Sequence, residues 1–202
     1  MMLSRIKVVV FFITIFLISC SKHIPVNDTF DSKYILEKVL TENLPICNLN
    51  KRGVFFYEDR FNKVKFKGAL IKDCENNFSL SVLGAFNQPV LILKGDNDNI
   101  TIIKSDMENV EDYLRFFEGD NLRKILTLLN YPLIFPDSTY SMKIAGDFFV
   151  FIKGDRNIYV NRLYRIVRIK EKGFEVQYEY DKDLKKMQVS SDDFEMKVTY
   201  FL

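Results

Sequence analysis

Short segments in which apolar and polar side chains alternate dominate this chain from residue 53 onward. The alternation is clearest over Phe174–Tyr180 and Phe194–Tyr200, where large apolar residues take every second position. A period of two places the apolar residues on one face of a strand, which is typical of antiparallel sheets with one dry face. The predicted strands are Gly53–Glu58, Val64–Ile71, Phe78–Leu83, Val90–Lys94, Ile100–Lys104, Phe148–Lys153, Ile158–Val160, Tyr164–Ile169, Phe174–Tyr180 and Phe194–Tyr200.

Helical spacing interrupts this pattern in two places. Phe30–Thr41 predicts a helix with Asp31 or Ser32 as its N-cap. Residues 110–117 and 122–129 each place apolar side chains at i, i+3, i+4 and i+7, so they predict two more helices in the middle of the chain.

Runs of strands around a helical insert indicate an α+β domain. An antiparallel sheet of about eleven strands tends to curl. The apolar concave face of such a sheet has to be covered, and the central helices are the obvious cover. We therefore expect a curled antiparallel half-barrel of about eleven strands, with helices over the concave apolar face, a shape that can enclose a cavity.

The N-terminal segment predicts a secretory signal. Arg5 and Lys7 precede the unbroken apolar run Val8–Ile18, which is short for a membrane span and typical of a signal peptide. The run leads into Leu17-Ile18-Ser19-Cys20, which resembles a lipobox. In a lipobox the cysteine sulfur takes a diacylglycerol and the freed amine can take a third chain. The alternative is an ordinary signal peptide that happens to hold a cysteine.

These features predict three parts of the chain. Residues 1–19 are the signal, residues 20–29 are a tether acylated at Cys20, and residues 30–202 are the folded domain. Ser21 after the cysteine favours the outer membrane. We therefore expect a lipid-anchored protein that faces the periplasm.

Charge and missing motifs exclude several classes of function. Residues 1–19 hold two of the 29 basic residues and none of the 27 acidic ones, so the rest of the chain is neutral. Neutrality argues against nucleic-acid binding and against polybasic attachment to acidic lipid. The single histidine, His23, lies in the tether, and GxSxG, CxxC and P-loop motifs are absent. We expect no catalytic residues, no metal site, no cofactor and no enzymatic activity.

Cys47 and Cys74 remain once Cys20 is acylated. An oxidising envelope permits a disulfide between them. Two separate thiols are the alternative, and spacing alone does not decide between them.

One predicted hairpin tip has an unusual composition. Leu83, Gly84, Ala85, Phe86 and Asn87 place a large aromatic residue beside Gly and Ala, where tips are normally polar. Phe86 either folds back onto the barrel rim or stays exposed as an apolar wedge that enters a membrane or a partner.

Four stretches resemble the LolB family of outer-membrane lipoprotein receptors, in the family's order and spacing. Residues 52–57 are similar to its RGxFxY opening strand, and residues 83–93 to its (G/N)PLGxxxLxL segment. Residues 121–126 are similar to its lid helix, and residues 173–178 with 194–202 to its terminal hairpin. The chain departs from the pattern at Ala85 and Asn87, where the family has Pro and Gly, and it lacks tryptophan.

The resemblance implies a half-barrel of the LolA/LolB lipoprotein-localisation fold with an apolar cavity for acyl chains. It implies a monomer that accepts acylated lipoproteins from the periplasmic carrier LolA and inserts them into outer-membrane lipid, with Phe86 in place of the family's membrane-entering leucine. The positions expected to line the cavity are Phe55, Phe66, Leu80, Val82, Leu91, Leu93, Leu122, Ile125, Leu126, Phe174, Val176, Tyr178, Met196 and Val198.

Two other functions fit the same features. A protein of this fold can bind or carry another lipid, because fold alone does not determine function. The chain can also be a structural lipoprotein that scaffolds an envelope complex.

Overall fold

The computed structural model describes residues 31–61, 63–75, 77–96, 99–105, 129, 131 and 135–201. These ranges contain one long helix and twelve strands. The elements are α1 Ser32–Cys47, β1 Leu49–Asp59, β2 Lys63–Lys72, β3 Phe78–Leu83, β4 Pro89–Gly95, β5 Ile100–Ser105, β6 Ser141–Ala145, β7 Phe148–Lys153, β8 Arg156–Val160, β9 Ile166–Glu171, β10 Phe174–Tyr180, β11 Leu184–Ser191 and β12 Phe194–Phe201. Among the described residues, no helix has the length and apolarity that a membrane crossing requires.

All twelve strands form one open antiparallel sheet with the order β5-β4-β3-β2-β1-β12-β11-β10-β9-β8-β7-β6. Neighbours in the sheet are neighbours in the chain except at its centre, where β1 pairs with β12. That pairing joins an N-terminal meander of five strands to a C-terminal meander of seven.

Cross-strand register places the buried apolar residues of β1–β4 and β9–β12 on one face. Phe55 lies opposite both Phe66 and Val198. The same alignment continues outward to the Val82–Leu91 pair on one side and the Val176–Ile169 pair on the other. One continuous apolar surface therefore extends across the sheet, as the alternation predicts.

Helix α1 shows that the sheet is curled. In a flat sheet, β9 would lie about 24 Å from β2, because five strand spacings separate them. The Asn43 side chain nevertheless accepts a hydrogen bond from Ile166 N at the start of β9, at 2.8 Å. Cys47, about one helical turn later, is bonded to Cys74 just after β2, with 4.7 Å between their Cα atoms. The helix therefore connects two distant strands directly across the concave side of the curled sheet.

The helix begins at Ser32, after one of the two predicted N-caps, and ends later than predicted. Asp31 is the N-cap, and its side chain accepts a hydrogen bond from Lys33 N at 2.9 Å. The helix runs through Pro45 to Cys47, six residues beyond the predicted end at Thr41. Proline is tolerated there because only one backbone hydrogen bond of the last turn is lost.

The sheet has two strands beyond those that the alternation identified, β6 and β11. A bulge explains the omission of β11, since Lys185 lies between the residues that pair with Glu179 and Tyr180 and shifts the register there. β6 is an edge strand with little burial, so it has no dry face to produce a pattern. The predicted central helices fall almost entirely on residues 106–128, outside the described residues, so their cover of the concave face stays a prediction.

Candidate functional site

The apolar concave face collects most of the residues predicted to line an acyl cavity. Nine of them are at most 6% exposed. They are Phe55, Leu80, Val82, Leu91, Leu93, Val176, Tyr178, Met196 and Val198. Phe66 and Phe174 are half-buried on the same face, whereas Leu122, Ile125 and Leu126 lie outside the described residues.

Aromatic rings occupy the centre of this face. The ring of Phe55 stacks on Phe66 with 5.1 Å between centroids and meets the edge of Tyr200 at 6.5 Å. Gly68 makes room for this stack, because a Cβ there would lie 2.9 Å from Phe55 Cε2. The face therefore presents flat apolar surfaces of the kind that pack against hydrocarbon.

Leu129 and Tyr131 pack into the interior and are 1% and 4% exposed. We call these two residues the strap. Lys72 of β2 holds the strap's backbone, since its Nζ donates to Leu129 O at 3.0 Å and to Tyr131 O at 3.3 Å. The strap is thereby tied to the N-terminal meander.

The Tyr131 side chain ties the strap to the C-terminal meander. Its hydroxyl donates to Glu171 of β9, and Glu171 also accepts from the Arg156 guanidinium. The ring meets the edge of Phe174 at 5.5 Å. Burial, and then the hydrogen bond to Glu171, raise the pKa of Tyr131, so this hydroxyl remains a donor. The strap therefore bridges the two halves of the sheet across the concave side.

Lys72 is an unusual group for such an interior. Burial lowers the pKa of its amine to about 7. A neutral amine has two N–H groups, which matches the two carbonyls that it holds. Above about pH 7 the contact therefore holds no buried charge and needs no acidic partner.

Tyr178 supplies a polar atom in the middle of the apolar face. Its hydroxyl is buried and has no hydrogen-bond partner within the described part of the chain. Burial raises the pKa of this hydroxyl well above its ordinary value. A buried hydroxyl without a partner costs about 1–3 kcal/mol, and an acceptor on a bound molecule would remove that cost.

The β3–β4 turn leaves its aromatic residue in solvent. Phe86 is 88% exposed, so it does not fold back onto the rim. Asn87 N donates to Gly84 O at 3.1 Å, and Gly84 N donates to Gln88 O at 2.9 Å. Asn87 adopts a positive φ of 59°, which asparagine tolerates and which closes the turn with Phe86 at its tip.

Sequence reasoning missed a second exposed aromatic residue. Phe61 lies in the β1–β2 turn and is 85% exposed. Its backbone N–H donates to Asp59 Oδ1 at 2.8 Å, and the Arg60 guanidinium lies 5.6 Å from its ring centroid. The sequence did hold a signal for this exposed residue, because Phe61 lies between two predicted strands and next to basic residues.

Both aromatic tips lie at the same end of the sheet, which we call the fingertip end. The opposite end, the helix end, holds α1 and the disulfide between Cys47 and Cys74. There Asn43 is fully buried and donates to Tyr164 O at 2.7 Å, in addition to its bond with Ile166 N. Cys20 lies outside the described residues, and its acylation stays a prediction.

Comparison with known proteins gives distant similarity in structure. No family model and no curated protein matches the sequence. A LolA superfamily protein from Nitrosomonas europaea is similar at 7% identity and a TM-score of 0.49, covering 84% of this chain and 91% of that one. An outer membrane lipoprotein-sorting protein domain from Vibrio parahaemolyticus is similar at 8% identity and a TM-score of 0.43, covering 83% and 90%.

The lipoprotein LppX from Mycobacterium tuberculosis is similar at 9% identity and a TM-score of 0.26, covering 84% of this chain and 94% of that one. All of these TM-scores are below 0.5, so the similarities do not establish a family for this chain.

Proposed function

We propose that this protein is an outer-membrane lipoprotein receptor that takes acylated lipoproteins from a LolA-type carrier and passes them into the outer membrane. The observation that carries the proposal is the continuous apolar face inside a curled sheet, bridged by a strap. Such a face suits a saturated chain, because each buried methylene contributes about 0.8 kcal/mol. The protein would act by binding and transfer, without a cofactor or catalytic step.

The strap offers a way to open and close the face. Its ties are hydrogen bonds from Lys72 and to Glu171, with no covalent link. Each such bond contributes about 0.5–1.5 kcal/mol net, and burial of Leu129 and Tyr131 adds about 1.5–3 kcal/mol each. A whole acyl chain, at about 0.8 kcal/mol per buried methylene, can offset both contributions. An incoming chain can therefore displace the strap and occupy the space between the two meanders.

Delivery would take place at the fingertip end. Phe86 is an uncharged aromatic group at an uncharged tip, so it can enter the acyl region of a bilayer at low cost. Acylation of Cys20 and the tether of residues 20–29 would keep the domain close to the membrane. Two or three chains on Cys20 make a durable anchor where a single chain binds only marginally.

The test of this proposal replaces the aromatic tip by a charge. Phe86→Glu should leave folding intact, because the side chain is 88% exposed, and should abolish delivery of lipoproteins to the outer membrane. Leu163→Glu is the matched control, since Leu163 is 67% exposed at the helix end and should tolerate the charge. Full delivery by the Phe86→Glu chain would refute the role of this tip.

A further inference from the structure

Phe61 and Phe86 are carried by neighbouring hairpins. The β1–β2 and β3–β4 hairpins lie side by side, because β2 pairs with β3. Lys67 of β2 lies opposite Leu83, the last residue of β3. β2 extends a further four residues to Lys63, so the β1–β2 hairpin projects about 13 Å beyond the end of β3. Phe61 is at the tip of this projecting hairpin.

Basic side chains accompany Phe61 and are exposed. Arg60 precedes it, and Lys63, Lys65 and Lys67 follow along the solvent face of β2. Lys63 pairs with Glu58 at 3.1 Å. Lys65 and Lys67 have no ion pair among the described residues, so their charges face solvent.

The charge at the fingertip end is distributed unevenly. On the other side of β1 lies β12, and the turn that leads into β12 contains the exposed residues Asp192 and Asp193. The rim is therefore net basic at the β1–β2 hairpin, where Glu58 and Asp59 offset part of the basic charge, uncharged at the β3–β4 tip and acidic at the β11–β12 turn. The overall neutrality of the chain beyond residue 19 conceals this local asymmetry.

We propose that the β1–β2 hairpin is a second membrane contact, specific for a bilayer surface that displays anionic headgroups. Phe61 enters the boundary between headgroups and acyl chains, and Arg60, Lys65 and Lys67 bind the anionic groups. Asp192 and Asp193 keep the β11–β12 turn away from that surface. The inference rests on the proposed function, in which the fingertip end meets the membrane, and adds a second contact and its lipid preference.

The absence of tryptophan from the sequence makes the contact measurable. Phe61→Trp and Phe86→Trp each introduce a single reporter into the full chain, and Leu163→Trp introduces one at the helix end as a control. Each chain is reconstituted in phosphatidylcholine vesicles and in equimolar phosphatidylcholine–phosphatidylglycerol vesicles. Tryptophan emission and its quenching by brominated acyl chains report entry into the bilayer.

We expect the reporter at position 61 to shift to shorter wavelength and to be quenched on the anionic vesicles, and much less on phosphatidylcholine alone. The reporter at position 163 should stay in water on both. Adding Lys65→Glu and Lys67→Glu should lower the ratio of inserted to free hairpin by at least about fivefold for each lysine reversed, and high salt should lower the same ratio.

Three results would overturn the inference. The first is a reporter at position 61 that stays in water on both vesicles while the reporter at position 86 inserts, which would leave the proposed function intact. The second is equal insertion on both vesicles without an effect of the lysine reversals. The third is a shift at position 61 only when a carrier protein is added, which would assign the hairpin to a protein partner. If the reporter at position 86 also stays in water, the proposed function itself loses its membrane contact.

Discussion

The two ends of the sheet are built in opposite ways. At the helix end, a disulfide and two hydrogen bonds of Asn43 join α1 to parts of the sheet that lie far apart. At the fingertip end, two phenylalanines project from hairpin turns with more than four fifths of their surface in solvent. The helix end stabilises the curvature of the sheet, and the fingertip end exposes apolar side chains that are available for contact with another molecule.

This difference separates residues that should govern stability from residues that should govern contact. A substitution at the helix end alters cross-links that the folded state needs. A substitution at the fingertip end alters side chains that contribute little to the core. Measurements of unfolding and of delivery should therefore respond to different ends of the molecule.

The largest effect on stability should come from the disulfide. Cys47 and Cys74 are 27 residues apart in the chain, and closing a loop of that length stabilises the folded state by about 3.5 kcal/mol through the unfolded chain. The Cys47→Ser/Cys74→Ser double variant should lose that amount in urea unfolding. Phe61→Ser, at the other end, should change the free energy of unfolding by less than about 0.5 kcal/mol. Equal losses from both variants would contradict the contrast between the ends.

Asn43 should give the next largest effect. Asn43→Ala leaves the buried N–H of Ile166 and the carbonyl of Tyr164 without their partner, which costs about 2–3 kcal/mol in the free energy of unfolding. Asn50→Ala is the control, because Asn50 is exposed on β1. A loss no greater than that of the control would show that the helix is held by its apolar contacts alone.

The sequence pattern predicted the strands well where one face is dry and the register is regular. It missed β11 because the bulge at Lys185 breaks the alternation. It could not have found Asn43, since a buried asparagine inside a helix depends on partners more than 120 residues away. The cross-links of the helix end are long-range contacts, and local patterns do not encode them.

Lys72 should make stability depend on pH. The folded chain releases this proton near pH 7, whereas the unfolded chain keeps it to about pH 10.5. Between those values the unfolded state binds more protons, so raising the pH favours the folded state by about 1.4 kcal/mol per pH unit. Urea unfolding from about pH 7.5 to about pH 9.5 should show this rise, and Lys72→Met should remove it. The same slope in both chains would show that Lys72 is not buried in this way.

Tyr178→Phe should have the smallest effect on stability. The hydroxyl has no partner within the described residues, so its removal should leave the free energy of unfolding unchanged or raise it by up to about 1 kcal/mol. Tyr180→Phe is the control and should destabilise, because the Tyr180 hydroxyl donates to Ile166 O at 2.6 Å. A clear loss of stability for Tyr178→Phe would mean that its hydroxyl has a partner in solution.

Some residues of the candidate site were predicted from the sequence and others were not, because local patterns do not encode long-range contacts. Phe86 stood out because Gly84 and Ala85 precede it, and alternation placed most of the apolar residues on one face. Phe61 did not stand out, since a turn residue among charged neighbours is ordinary in sequence. Lys72 resembled a solvent-facing strand end, and its burial depends on a strap 57 residues away.

The most direct test of the account is native mass spectrometry of the full chain after incubation with a LolA-type carrier loaded with an acylated lipoprotein. The account predicts a one-to-one complex of this chain with the acylated lipoprotein and depletion of the carrier's load. A complex with a glycolipid or a free fatty acid instead would identify a carrier of another lipid. A chain that stays without any acylated ligand at an excess of loaded carrier would contradict the central claim that the concave face holds acyl chains.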